Sequence, residues 1–225
     1  MTRQFGRTLL CLAMLATWAV TTVMPASASG VLYTQPFDGT GNAYASQNDT
    51  TGGNGNFSTM YDNFILGSNS NITSVNWTGE YFNPPSQGTI TGWTLNIYAN
   101  NAGAPGALLY TTGGVAGNGG ETFLGTFAGT PTYAYGLNTA FSATAGTEYW
   151  MSVVPDLGFP PQWGWSSGTG GDGVSYQDFF GTRSPVSADM AFTLNGSVAA
   201  PEPSSVLLLA TALAALGLIA HKKLA

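Results

Sequence analysis

Glycine does most to limit what this 225-residue chain can become: of its 31 glycines, all but Gly6 and Gly217 lie between residues 29 and 200. Such a density opposes helices of ordinary length, because glycine gives up the most backbone freedom on ordering. Between the glycines lie short runs of Val, Ile, Thr, Tyr, Phe and Trp, which suit a half-buried pleated surface. The clearest is Thr89 to Tyr98, TITGWTLNIY, where Trp93, Leu95 and Ile97 share one face and Thr94, Asn96 and Tyr98 the other. Similar segments are Val31 to Phe37, Phe57 to Leu66, Ile72 to Phe82, Ala107 to Thr112, Glu121 to Phe127, Thr139 to Ala143, Thr147 to Val154, Val174 to Phe180 and Ala188 to Leu194. Short strands between Gly, Pro and Asn turns predict an all-β fold: a single antiparallel β-sandwich, jelly-roll-like, over residues 29–198. Gly39 to Asn56 and Pro155 to Gly173 read as long loops, the first of them mobile.

The two ends follow other rules. Arg3 and Arg7, the apolar run Leu9 to Val23, and the small residues Ala26 and Ala28 predict a signal-peptide helix over residues 1–28, cut after Ala28. Cys11, the only cysteine, leaves with it, so the mature chain has no disulfide, and a body of roughly 170 residues is long enough to bury a core without one. Residues 199–225 contain an uncharged apolar helix, Val206 to Ala220, followed by Lys222 and Lys223. At 1.5 Å per residue it reaches about 22 Å against a hydrocarbon core of ~30 Å. With its lysines snorkelling, it reads as a marginal transmembrane span with a basic cytoplasmic end.

Charge narrows the function. Ten of the eleven acids lie in residues 29–200 against one base, Arg183, so that segment is near −9. Without a basic patch it cannot neutralise phosphates, which excludes nucleic acid as a partner and disfavours anionic lipid. The only histidine, His221, lies outside the body, and with Cys11 gone there is no Ser/His/Asp or Cys/His hydrolase and no His-based zinc site. The chain therefore reads as noncatalytic and without a catalytic cofactor.

Three constellations remain as candidates. Trp163 and Trp165 in FPPQWGWSSG, at i and i+2, would share one face of an extended segment and stack on a sugar, flanked by Tyr176 and Phe159; the alternative is that they cap the core. Glu80, Glu121 and Glu148, with Asp156, Asp172 and Asp178, are the carboxylates from which a glycosidase pair would be drawn. A structural calcium ion would find oxygen ligands at Asp172 and Asp178, or at Asp38 and Asp49, although neither set has the spacing of an EF-hand or an aspartate-rich repeat.

Pro201-Glu202-Pro203, then a terminal apolar run, then basic residues, resembles the PEP-CTERM sorting signal of Gram-negative bacteria. The resemblance covers residues 201–225 and departs from the usual pattern in ending HKKLA rather than in arginines. It implies a transient inner-membrane anchor that is recognised and cut by an exosortase, a membrane Cys-dependent transpeptidase-like enzyme, after signal peptidase has removed the N-terminal segment. Asn100 to Tyr110, NNAGAPGALLY, and Ala145 to Val154, AGTEYWMSVV, are similar to uncharacterised β-sandwich ectodomains that precede such tails, which supports the fold and supplies no activity. The expectation is a protein secreted across the inner membrane and sorted to the cell surface or extracellular matrix, with exopolysaccharide or biofilm as its setting. The rivals are an extracellular carboxylate-dependent glycosidase and a permanently anchored structural protein that self-assembles through exposed strand edges.

Overall fold

The structure, a computed structural model, describes residues 29–199 and Leu213. The signal peptide with Ala26 and Ala28, and the tail with Pro201, Glu202, Pro203, Lys222 and Lys223, lie outside the described residues. Among those described, no helix is long and apolar enough to cross a membrane.

The chain forms β1 (Gly30–Gln35), β2 (Ala43–Ala45), β3 (Gln47–Asp49), β4 (Gly55–Ile65), β5 (Ser70–Phe82), β6 (Ile90–Asn100), β7 (Pro105–Thr111) and β8 (Val115–Ala116). It continues through β9 (Thr122–Phe127), β10 (Thr130–Ala143), β11 (Glu148–Leu157), β12 (Gln162–Gly168), β13 (Ser175–Phe179), β14 (Thr182–Val186), β15 (Asp189–Met190) and β16 (Phe192–Val198). One sheet runs β1-β16-β5-β10-β9, with β12 continuing the edge of β5 beyond β16 and carrying β2 and β15. The other runs β14-β13-β4-β3-β11-β6-β7, with β8 also on β6. Among the described residues every strand pairing is antiparallel except that of β3 with β11, so the second sheet is mixed, against the purely antiparallel expectation. The exception arises because β3 is wedged between the start of β4 and the end of β11, pairing Asn48 with Asp156.

Alternation builds the core. In β6, Trp93, Leu95 and Ile97 are fully buried, while Thr94, Asn96 and Tyr98 on the other face are half-buried. Across the ladder Met151 and Val153 of β11 oppose Ile97 and Leu95 and point the same way. They meet Ile72, Val75, Trp77, Tyr135, Phe192 and Leu194 from the first sheet in one apolar cluster. Trp93 lies at the centre, its ring 4.8 Å from Trp77, 4.9 Å from Tyr135 and 5.0 Å from Trp163. Two sheets facing each other across this layer give a β-sandwich arrangement.

Each of the ten expected segments carries a strand. The two expected loops do not stay loops: Gly39 to Asn56 contains β2 and β3, and Pro155 to Gly173 contains β12. Strands of three residues are too short to show a period. In β12 glycine is a packing device, since a Cβ at Gly164 would come 2.7 Å from the Phe82 ring and one at Gly79 of β5 2.0 Å from the Trp163 ring. Between β2 and β3 the chain passes from the first sheet to the second at Ser46, whose Oγ donates to Val153 O at 2.6 Å and accepts from Met60 N at 3.2 Å.

Candidate binding face

The outer face of the second sheet is built by the residues that alternate with its core positions. Register puts Trp150 beside Tyr98, Ser152 beside Asn96 and Tyr61, Val154 beside Thr94, and Tyr176 beside Tyr61. The result is a polar and aromatic layer in which Trp150, Ser152, Tyr61 and Val154 are buried and Thr94, Asn96, Tyr98 and Tyr176 are half-buried. Tyr61 and Tyr98 pack edge to face at 5.4 Å, as do Trp150 and Tyr176. Their polar tips are held: Tyr61 OH donates to Asp178 Oδ2 at 2.9 Å, Trp150 Nε1 donates to Asn100 Oδ1 at 3.2 Å, and the Tyr98 and Ser152 hydroxyls are 3.4 Å apart.

A cavity of about 240 Å³ opens on this face. Its floor is Thr94, Asn96 and Tyr98 of β6 with Val154 of β11, and its walls are Thr59 and Tyr61 of β4, Asn56, and the pair Asn48 and Asp156. Asn48 Nδ2 donates to Asp156 Oδ1 at 2.7 Å, which fixes both amide and carboxylate. The lining combines amides, hydroxyls and a carboxylate with ring edges, all on paired strands. Such a surface offers directional donors and acceptors for hydroxyl groups together with apolar area for ring C–H faces.

Arg183 packs on the wall residue Tyr61. Its Nε and Nη2 hold Asp178 at 2.7 and 2.8 Å, Nη1 donates to Pro105 O at 2.8 Å, and the guanidinium lies 4.8 Å from the Tyr61 ring centre. The Asp178 carboxyl is held below the usual range by Arg183. The Tyr61 phenol is pushed upward by burial and then by neighbouring Tyr98 and Asp178, so it stays a hydrogen-bond donor at neutral pH.

Trp163 and Trp165 do not form a platform. They do share one face, as i and i+2 requires, but it is the inner one, and both rings are 0 % exposed. Their N–H groups are satisfied inside, Trp163 Nε1 by Tyr135 OH at 3.2 Å and Trp165 Nε1 by Ala191 O at 2.9 Å. The pocket left by Gly79 holds the Trp163 ring there. The two expected flanks, Tyr176 and Phe159, do lie outside the core, Tyr176 against Trp150 and Phe159 against Phe57.

The candidate acids are mostly dispersed. Glu80 is buried in the first sheet, accepting from Thr130 and Thr132, and its pKa is raised by burial. Glu121 accepts from Tyr81 at 2.5 Å, Tyr135 at 2.9 Å and Gln87 at 2.7 Å. Only Glu148 and Asp172 are drawn together, each accepting from Asn63 Nδ2 at 2.9 Å. Asp38 and Asp49, offered as calcium ligands, act as loop acceptors: Asp38 for Thr40 and Ser167, Asp49 for the backbone of Thr51, Gly52, Asn54 and Phe159. Burial opposes ionisation of Asp49, but these backbone N–H groups outweigh it and hold the carboxyl well below its ordinary value. Among the described residues no group of three or more His, Cys, Asp or Glu side chains is arranged to hold a metal ion.

No known family model and no curated protein matches the chain. Its site is therefore read from geometry alone. Part of the cavity is legible in the sequence, since Thr94, Asn96 and Tyr98 are the solvent-facing set of the most regular strand; Asn48, Asn56 and Asp156 carry no such pattern.

Proposed function

We propose that this is a noncatalytic secreted protein, a jelly-roll-like sandwich that binds polysaccharide on the outer face of its second sheet. A signal peptide carries it across the inner membrane. The tail, Pro201-Glu202-Pro203 with its apolar helix and Lys222 and Lys223, anchors it briefly until an exosortase releases it to the cell surface or extracellular matrix. The observation that supports the binding role is the 240 Å³ cavity lined by Thr94, Asn96, Tyr98, Asn48 and Asp156 on paired strands.

Binding to the producer's own exopolysaccharide, measured by affinity electrophoresis on purified protein, tests the reading. Wild type is retarded and Asn96→Ala is retarded less; a wild-type protein that migrates freely refutes it. Sorting is tested separately by following the size and location of a tagged chain in cells with and without an exosortase. An unchanged full-length inner-membrane product in both would contradict the sorting role and favour a permanent anchor.

The second reading, a glycosidase, draws on one observation, the approach of Glu148 and Asp172 across Asn63. Release of reducing ends from the same polysaccharide, abolished by Glu148→Gln, would favour it over simple binding.

A further inference from the structure

Next to the cavity wall, beside Asn56, lies a cluster of phenylalanine rings. Phe57 lies two residues before Thr59 on β4 and so on the same face, beside Asn56 in the cavity wall. Around it sit Phe159 at 6.2 Å, Phe179 at 6.0 Å and Phe180 at 5.4 Å between ring centres. Phe57 is buried, but Phe180 is 63 % exposed, at only 31° to the Phe57 ring. Phe159 is tied to the same end of the groove, because its N–H donates to Asp49 Oδ1 at 3.0 Å, one residue from Asn48.

Phe180 is also an unexpected residue for its backbone. Phe179 pairs with Thr182, leaving Phe180 and Gly181 as a two-residue hairpin turn with φ of 47° and 79°. Both central positions of such a turn are left-handed, a conformation that Asn, Asp and Gly adopt readily and a bulky ring does not. The β9–β10 hairpin has the same turn, with Ala128 and Gly129 at 47° and 88°, and carries no ring there. The β13–β14 turn thus holds an apolar ring in water, at a position that favours small polar residues, next to a polar groove.

Charge limits what could lie there. Arg183 is the only Lys or Arg among the described residues, and it is paired with Asp178 through Nε and Nη2 while Nη1 donates to Pro105 O. An acidic polymer would find no unpaired cation and would meet Asp156 in the groove. From Thr94 to Tyr98 the floor runs about 13 Å at strand spacing, room for about two sugar rings in line. Resting on the polysaccharide-binding reading, we infer that Phe180, backed by Phe57 and Phe159, is a stacking subsite at the end of the groove for one ring of an uncharged glycan.

The test uses purified protein, calorimetric titration with neutral glucan, mannan and galactan oligomers of increasing length, and alginate as an acidic polymer. Wild type binds one neutral series with affinity that rises with length and is insensitive to salt, and it does not bind alginate. Phe180→Asn weakens binding of the longer oligomers about tenfold, the size expected for one lost stacking contact, while raising Tm. Ala128→Asn is the control: Tm rises and binding is unchanged. Unchanged affinity in Phe180→Asn overturns the subsite alone and leaves the groove standing, and tight alginate binding overturns the uncharged class. A wild-type dimer that Phe180→Asn dissociates, with glycan affinity intact, makes the patch a contact between copies and overturns the subsite. Failure of wild type to bind any polymer removes the groove reading and the subsite together.

Discussion

Trp93 and Tyr98 stand on one strand and serve opposite surfaces. Trp93 joins Trp77, Tyr135 and Trp163 in a dry cluster with ring centres 4.8 to 5.0 Å from its own. Tyr98 joins Tyr61, Trp150 and Tyr176 on the outer face, where Tyr98 and Tyr176 are half-buried while Tyr61 and Trp150 are covered by their neighbours. Residue type does not separate the two groups, since both are tryptophan and tyrosine. Strand parity does, because positions that differ by an odd number point to opposite sides of a sheet. An inner ring contributes buried area and shape; an outer ring with a satisfied polar tip contributes a stiff surface that a ligand can use.

Variants in the two groups should behave oppositely. The largest effect is expected from Trp93→Ala, which removes the central ring from a closed core and should cost about 3–5 kcal/mol in denaturant unfolding. If it costs no more than an outer-face change, the contrast fails. Asn96→Ala, on the floor of the groove, should weaken polysaccharide binding about tenfold, with stability changed by less than about 1 kcal/mol, as expected of a side chain half in water.

Acid and base should separate two buried carboxylates in the same manner. The folded pKa of Asp49 is depressed, so its contribution is present above the ordinary carboxylate value and lost as pH falls through its folded value. Asp49→Asn should therefore destabilise at neutral pH and flatten the decline in acid. Asp62, fully buried, has its pKa raised by burial, against the N–H groups of Met190 and Asn63 that lower it. Its contribution is present below the ordinary value of 3.8 and is lost as pH rises through the folded value. The last of these effects is a flatter stability curve for Asp62→Asn between pH 3.8 and the folded value, read from unfolding midpoints across pH. A curve parallel to wild type would show that Asp62 does not change its protonation on folding.

Much of this was legible before the structure, and the failures have physical causes. The period-two pattern of TITGWTLNIY separates Trp93, Leu95 and Ile97 from Thr94, Asn96 and Tyr98 as the strand does. The same rule placed Trp163 and Trp165 on a common face but could not say which, because local parity carries no information about what the other sheet presents. Gly79, more than 80 positions earlier, supplies the space that draws the Trp163 ring inward. The groove was hidden for a similar reason: Asn48 faces Asp156 only because β3 inserts beside β11, a pairing 108 positions apart in the chain. Strands of two or three residues, such as β2, β3 and β8, have too few positions to show any alternation. β12 was masked by the prolines and glycines that ordinarily mark a loop.

On the proposed reading, glycan meets the outer face of the second sheet and never the indoles of the core. Backbone and indole NMR signals followed during titration with the producer's polysaccharide test it most directly. Shifts are expected at Asn48, Thr94, Asn96, Tyr98 and Asp156, with the Trp163 and Trp165 indole signals unmoved. Shifts confined to the outer face of the first sheet, or to those two indoles, would contradict it.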